Sequence, residues 1–261
     1  MSRRTAAVLT GLSLTLGGVV ASPSGTPAAA AQPTTQPLTD SVGERAAAAK
    51  PKVGTYQGTW GEGYFIAFDV ARRKGGFVVK NAVSMYGCGS EPVYSTFGTV
   101  PVRNGRFSRS GVVSINGTFT SKKKAKGRAN PAPGLQGCNG KPKPYRVAYA
   151  GKAQSRTGDY LGTDTTGAAV TLSVEGAGKI VGGIDVARRL QCGSVQLGSL
   201  FRFGRAGIPV GGAAQSSFTD DNGTVHSYTA TFPDSRTVTG TYRVSGTGCD
   251  TGQVAFSATH G

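Results

Sequence analysis

Lysine and arginine crowd one short stretch, Lys122, Lys123, Lys124, Lys126 and Arg128, and three more cations follow at Lys141, Lys143 and Arg146. Side chains along a β-strand alternate between its two faces, so an extended chain here puts Lys124, Lys126 and Arg128 on one face. At about 3.3 Å per residue these cations recur every ~6–7 Å, a spacing that suits successive phosphates or carboxylates of an extended polymer. A solvated edge strand whose lysines block sheet-to-sheet association has the same pattern. The eight residues form the candidate anion-binding set.

Catalytic chemistry is sparse by comparison. The histidines are His226 and His260, and Ser217 and Asp221 lie near the first of them in sequence. A nucleophilic triad requires a geometry that sequence proximity does not supply, and no nucleophile-elbow spacing is present. His226 reads instead as a surface residue of a hairpin. Glycoside hydrolysis needs two carboxylates across a cleft, and the spacing of Glu62, Asp69 and Glu91 marks no such pair. Asp220 and Asp221 precede Asn222-Gly223 and read as a turn, because a calcium loop needs more oxygen ligands at alternate positions. Trp60 with Tyr64, and Tyr86 with Tyr94, suit a ring platform for a polymer, although Trp60 suits a core equally. No catalytic residue, metal ligand or cofactor site is assigned.

The elements that position these residues come from a duplication. At an offset of 104, Gly54, Tyr56, Gly58 and Thr59 match Gly158, Tyr160, Gly162 and Thr163. At the same offset Cys88, Gly89, Ser90 and Phe97 match Cys192, Gly193, Ser194 and Phe201. After a small insertion in the second copy, Phe119 and Gly127 match Phe232 and Gly240, and Cys138 matches Cys249. A repeat of this kind sets the architecture before individual strands are assigned. The recurring Tyr56 and Tyr160 are framework residues in this reading.

Thr outnumbers Leu by 28 to 11, and apolar residues alternate with polar ones. Both features favour strands over helices. About seven short strands per copy are predicted, punctuated by turn signals such as Asn104-Gly105 and Asn222-Gly223. The expected fold is all-β, with two tandem homologous β-sandwich or small β-barrel domains, a basic one over 54–152 and a neutral one over 158–261.

Four cysteines admit three pairings. If each copy folds as its twin does, the bridges are Cys88 to Cys138 and Cys192 to Cys249, because a crossed pairing would tie together positions in separate cores. Closing a loop of about 50 residues corresponds to roughly 4 kcal/mol in the chain-entropy account of disulfides. The alternative of a zinc site lacks the close CxxC spacing.

Export supplies the oxidising compartment that such bridges need. Arg3 and Arg4 precede an apolar stretch from Ala6 to Ala21, and small residues end in Ala29, Ala30 and Ala31. This pattern fits a signal peptide over 1–31, cleaved near Ala31, and a secreted mature chain starting at Gln32. Ser2-Arg3-Arg4 is similar to a twin-arginine signal, but Ala6 and Ala7 stand where larger apolar residues are preferred, which favours the general route. An Ala/Pro/Thr-rich flexible linker over 32–53 follows.

The whole chain has 261 residues, a formal net charge of +16 and a pI near 10.1. From Gln32 to Lys152 there are 19 basic and 5 acidic residues, and from Ala153 to Gly261 there are 8 of each. The charge is confined to one copy. Such asymmetry points to an anionic polymer or cell-surface component as partner. No apolar run after the leader is long enough for a helical membrane span.

Gly240-Thr241-Tyr242, Cys249-Asp250-Thr251-Gly252 and Phe256-Ser257-Ala258 resemble the end of small secreted β-domains found in duplicated actinobacterial exported proteins of unassigned function. The first copy keeps Cys138 but departs at Asn139-Gly140-Lys141. The resemblance implies export, a disulfide and a β fold, and brings no active-site residues. The function read from these features is a secreted, non-catalytic binding protein whose first domain engages an anionic polymer or surface. The alternatives are a secreted hydrolase, or an inhibitor of a secreted enzyme presenting the loop from Asn130 to Leu135.

Overall fold

The structure is a computed structural model and describes residues 49–261, apart from 62, 89–90, 112, 131–141, 193–194, 198–199 and 247. The leader, most of the linker, Glu62, Cys138, Lys141 and residues 131–135 of the candidate inhibitory loop lie outside the described residues, as do the side chains of Cys88, Glu91 and Cys192. The described residues belong to one compact unit. Its described elements are all strands.

The first copy holds β1 (Gly54–Trp60), β2 (Tyr64–Arg73), β3 (Gly76–Cys88), β4 (Glu91–Phe97), β5 (Val100–Val102), β6 (Arg106–Arg109), β7 (Ser114–Ser121), β8 (Lys124–Asn130) and β9 (Lys143–Gly151). They pair in the order β4-β3-β2-β1-β9-β8-β7-β6, with β5 also on β3. An Arg103 to Arg106 bridge then folds β5 back onto β6, so the sheet curls toward closure. Asn104 and Gly105 form that turn with φ of 48° and 67°, the left-handed pair that a tight hairpin requires and that Asn-Gly adopts readily.

The second copy holds β10 (Gly158–Asp164), β11 (Ala169–Glu175), β12 (Ile180–Ala187), β13 (Leu190–Cys192), β14 (Val195–Leu197), β15 (Phe201–Phe203), β16 (Ala206–Gly207), β17 (Ala213–Thr219), β18 (Val225–Thr231), β19 (Thr237–Gly246), β20 (Cys249–Asp250) and β21 (Val254–His260). The main sheet runs β15-β12-β11-β10-β21-β19-β18-β17, with β16 on β12 and β20 on β19, while β13 and β14 pair separately. In both copies the first strand closes against the last.

Alternation of burial explains the strands. In β7, Ile115, Gly117 and Phe119 are buried between exposed or half-buried polar residues. Each apolar side chain so removed from water contributes roughly 1.5–3 kcal/mol of transfer free energy. Aromatic rings fill the first interior: Tyr56, Phe68, Phe107, Phe119 and Tyr145 pack together, with Tyr56 edge-on to Phe119 at 5.4 Å. In the second copy Tyr160 meets Phe232 edge-on at 5.5 Å.

The duplication reaches individual hydrogen bonds. Tyr56 Oη accepts from Lys52 N at 3.0 Å and donates to Lys122 O at 2.6 Å. Tyr160 Oη accepts from Arg156 N at 3.0 Å and donates to Ser235 O at 3.3 Å. Because Pro51 is buried and Lys52 is bonded in this way, the fold takes hold of the chain before Gly54.

The two sheets pack through the outer face of β2 and β3. Ala67, Val83 and Met85 of the first copy bury against Ile180 of the second. Lys179 Nζ, at 2% exposure, reaches Asp69 at 3.0 Å, and Val210 N donates to Gln57 Oε1 at 2.8 Å. The contact therefore mixes an apolar patch with one buried ion pair.

In the second copy Asp164 ties a turn to the core. Its Oδ1 accepts from Thr166 N, Thr166 Oγ1 and Ala168 N, and its Oδ2 accepts from Tyr242 Oη at 2.5 Å. Burial pushes the Asp164 carboxyl up, but the bonds from Tyr242, Thr166 and Ala168 outweigh it and hold it below its ordinary value. Burial, reinforced by the same carboxylate, pushes Tyr242 up to about 12. A depressed carboxyl contributes stability that is present above its unfolded value, about 4, and is lost as pH falls through the folded value. Asp164→Asn is expected to cost about 2 kcal/mol at neutral pH and to flatten the acid limb of a denaturant-midpoint titration. An unchanged acid limb in the variant would show that Asp164 does not govern it.

Candidate functional site

The outer face of β6 to β9 carries the charge. On β8, Lys124, Lys126 and Arg128 are exposed, while Ala125 and Ala129 between and beyond them are buried. Lys126 stands directly opposite Arg146 of β9. Lys126 also faces Thr118 of β7, which in turn faces Arg106 of β6, and Arg146 faces Thr59 of β1. A row thus crosses five strands as Arg106, Thr118, Lys126, Arg146 and Thr59. Neighbouring strands lie about 4.8 Å apart, so Lys126 stands one strand spacing from Arg146 and two from Arg106.

Like charges directly opposite on paired strands repel. Among the described residues no acid relieves them: Asp69 is the one carboxylate of the first sheet whose side chain is described, and it is engaged on β2 by Thr55, Asn81 and Lys179. Two shallow depressions border the row. One, of about 340 Å³, is lined by Thr120, Lys124, Lys126 and Arg146; the other, of about 500 Å³, by Arg103, Arg106, Asn116 and Thr118. They adjoin where Thr118 faces Lys126.

The equivalent row of the second copy is an internal control. Ala213 faces Thr231, Thr231 faces Thr239, Thr239 faces Ser257, and Ser257 faces Thr163. All five are uncharged. The fold therefore does not demand cations at these positions.

The remaining predicted residues are dispersed. Lys122 and Lys123 occupy the β7 to β8 turn, where their carbonyls accept from Tyr56 Oη and Tyr149 N. Arg128 donates from Nη2 to Pro142 O at 2.8 Å. Lys143 lies on the other face of β9 with Nζ 5.8 Å from the Trp60 ring centroid. Lys141 is outside the described residues. Arg106 was not singled out in sequence because β6, Arg-Phe-Ser-Arg, offers a single apolar residue to mark it as a strand.

The Ser217, His226 and Asp221 arrangement does not assemble. His226 is 8% exposed rather than on the surface, stacked on Phe218 at 4.8 Å. Its Nε2 lies 3.2 Å from Asp220, not Asp221. Ser217 is exposed and pairs with Ser227, one position out of step with the Phe218 to His226 pair, which puts it on the opposite face from the imidazole. Burial pushes the Asp220 carboxyl up, but bonds from Thr224 N, His226 and Asn222 N outweigh it and hold it low, as in a structural turn. Trp60 is buried and donates to Ala129 O at 3.2 Å, so it is core and not a platform. Among the described residues no His, Cys, Asp or Glu cluster is placed to hold a metal, and no helix is long and apolar enough to cross a membrane. No protein-family model, curated protein or solved structure matches the chain.

Proposed function

We propose that this is a secreted binding protein of two homologous β-domains, 54–152 and 158–261, whose first domain engages an extended anionic polymer across β6 to β9. The observation that carries the reading is Lys126 set opposite Arg146 with no described carboxylate beside them. A polyanion relieves that repulsion and releases its own condensed counterions on binding. The uncharged row in the second copy makes the partner specific to the first. Export and a bridge between Cys192 and Cys249 belong to the same proposal. Two observations support them: Cys249 is disulfide-bonded, and β13, which ends at Cys192, packs against β20, which begins at Cys249. A Cys88 to Cys138 bridge follows from the repeat.

The test compares the full chain with an Arg106→Gln, Lys126→Gln, Arg146→Gln triple variant on immobilised polyphosphate and teichoic acid. The slope of log affinity against log salt is expected to fall by about 2, at roughly 0.7 per cation on a flexible polyanion. Arg202→Gln serves as control, since Arg202 lies on the second sheet and is already paired with Asp185. A triple variant eluting at the same salt as the parent would end this reading.

A further inference from the structure

The two copies differ at one end of their sheets. In the first, a recess of about 550 Å³ opens between Lys50, Pro51, Arg72, Arg73, Phe77 and Val102. In the second, the corresponding place is lined by Gln154, Ser155, Gly178 and Ile208, and only about 10 Å³ remains. Three differences in the chain produce this contrast. The β2 to β3 hairpin continues for three pairs beyond Val70 and Val79, whereas β11 to β12 continues for one beyond Val174 and Val181. The two extra rungs carry Arg72 and Arg73. Next, the turn after β5 is the tight Asn104-Gly105, while residues 208–212 lie over the second copy's opening. Last, Phe77 pairs with Val102, and its counterpart Lys179, whose carbonyl accepts from Ile208 N, sends its side chain away to Asp69. Ser155 Oγ then closes the second copy by donating to Gly178 O at 2.5 Å.

A recess that the duplicated fold fills in one copy and leaves open in the other is not imposed by the architecture. Its rim carries three cations and, among the described lining residues, no carboxylate, and its floor is Pro51, Phe77 and Val102. Arg72 lies over the Phe77 ring at 5.5 Å, which orients the guanidinium at the border between charge and apolar surface. Its volume falls in the range of small-molecule sites, which combine an apolar lining with a few fixed polar groups. We infer that this recess binds a small amphiphile, a molecule with a single anionic head held by Lys50 and Arg72, with Arg73 adding positive charge at the rim from the other face of β2, and an apolar body laid on Phe77 and Val102. The site is separate from the cationic row and does not rest on the polymer reading.

Anilinonaphthalene sulfonate, an aromatic body with one anionic head, is the probe for the full chain. One dye is expected to bind saturably per molecule, and to shift the amide resonances of Phe77 and Gly105. The Arg72→Gln, Arg73→Gln double variant and, separately, Val102→Trp are each expected to weaken it about tenfold. Lys126→Gln with Arg146→Gln is expected to leave it unchanged. Decyl sulfate is expected to displace the dye, and inorganic sulfate at equal ionic strength is not. Dye affinity indifferent to both recess variants, or displacement by inorganic sulfate as effective as by decyl sulfate, overturns the inference.

Discussion

Asp69→Ala is expected to lower the unfolding free energy by about 3 kcal/mol, and Lys179→Met by less than about 1.5 kcal/mol, although the two residues form one ion pair. The asymmetry follows from their surroundings. Lys179 is 2% exposed and Asp69 20%. Removing the acid leaves an ammonium buried between two sheets with Ala177 O, at 3.3 Å, as its remaining acceptor. An uncompensated buried charge is among the most destabilising single changes, about 3–5 kcal/mol, and the lower end applies because water can approach from the Asp69 side. Removing the lysine instead leaves a carboxylate that keeps Thr55 Oγ1 at 2.8 Å, Asn81 Nδ2 at 2.9 Å and access to solvent. Methionine fills most of the vacated volume without bringing a charge. Denaturant unfolding of both variants in the full chain decides the matter: equal losses would mean that the pair contributes by packing and not by charge.

That contact between copies was written in the sequence less openly than the strands themselves. A half-buried strand alternates, and β7 and β8 do so, with Ile115, Phe119, Ala125 and Ala129 inside. Phe65-Ile66-Ala67-Phe68 does not alternate, and such a run marks a strand covered on both faces. Ile66 and Phe68 face the aromatic interior, while Ala67 meets the second sheet. The cue was present, but a single sequence does not say what covers the second face. Strand β17, Ala-Ala-Gln-Ser-Ser-Phe-Thr, carries little signal in the sequence because small polar residues dominate it, and its place is fixed by pairing with β18 rather than by propensity. The neighbouring short strands β14 and β15 fall in different sheets, a division that their short apolar patterns do not announce. Among the charged residues, alternation alone gave the shared face of Lys124, Lys126 and Arg128. The crossing row did not follow from alternation, because it depends on register between strands far apart in the chain. The open recess has the same origin: two extra hairpin rungs read in sequence simply as Arg-Arg before a turn.

Register also explains the glycines that recur in the duplication, and they carry the second large effect. A methyl group on Gly58 would sit 2.0 Å from Arg146 O, and one on Gly162 would sit 1.9 Å from Ser257 O. Both obstructions are backbone of the closing strand, β9 or β21, so no side chain can turn aside to relieve them. The seam between first and last strand lies in the middle of each sheet and joins its two halves, and forcing it apart disrupts the pairs that flank it. Gly58→Ala and Gly162→Ala are each expected to cost about 3 kcal/mol, at the upper end of overpacking penalties. Gly183→Ala is the control: its nearest obstruction, Phe203 O, is at an ordinary 3.5 Å, and a change within about 1 kcal/mol is expected. Thermal and denaturant unfolding of the three variants gives the comparison. If Gly58 and Gly162 tolerate alanine as well as Gly183 does, the close approach of the closing strands is not what retains glycine in both copies.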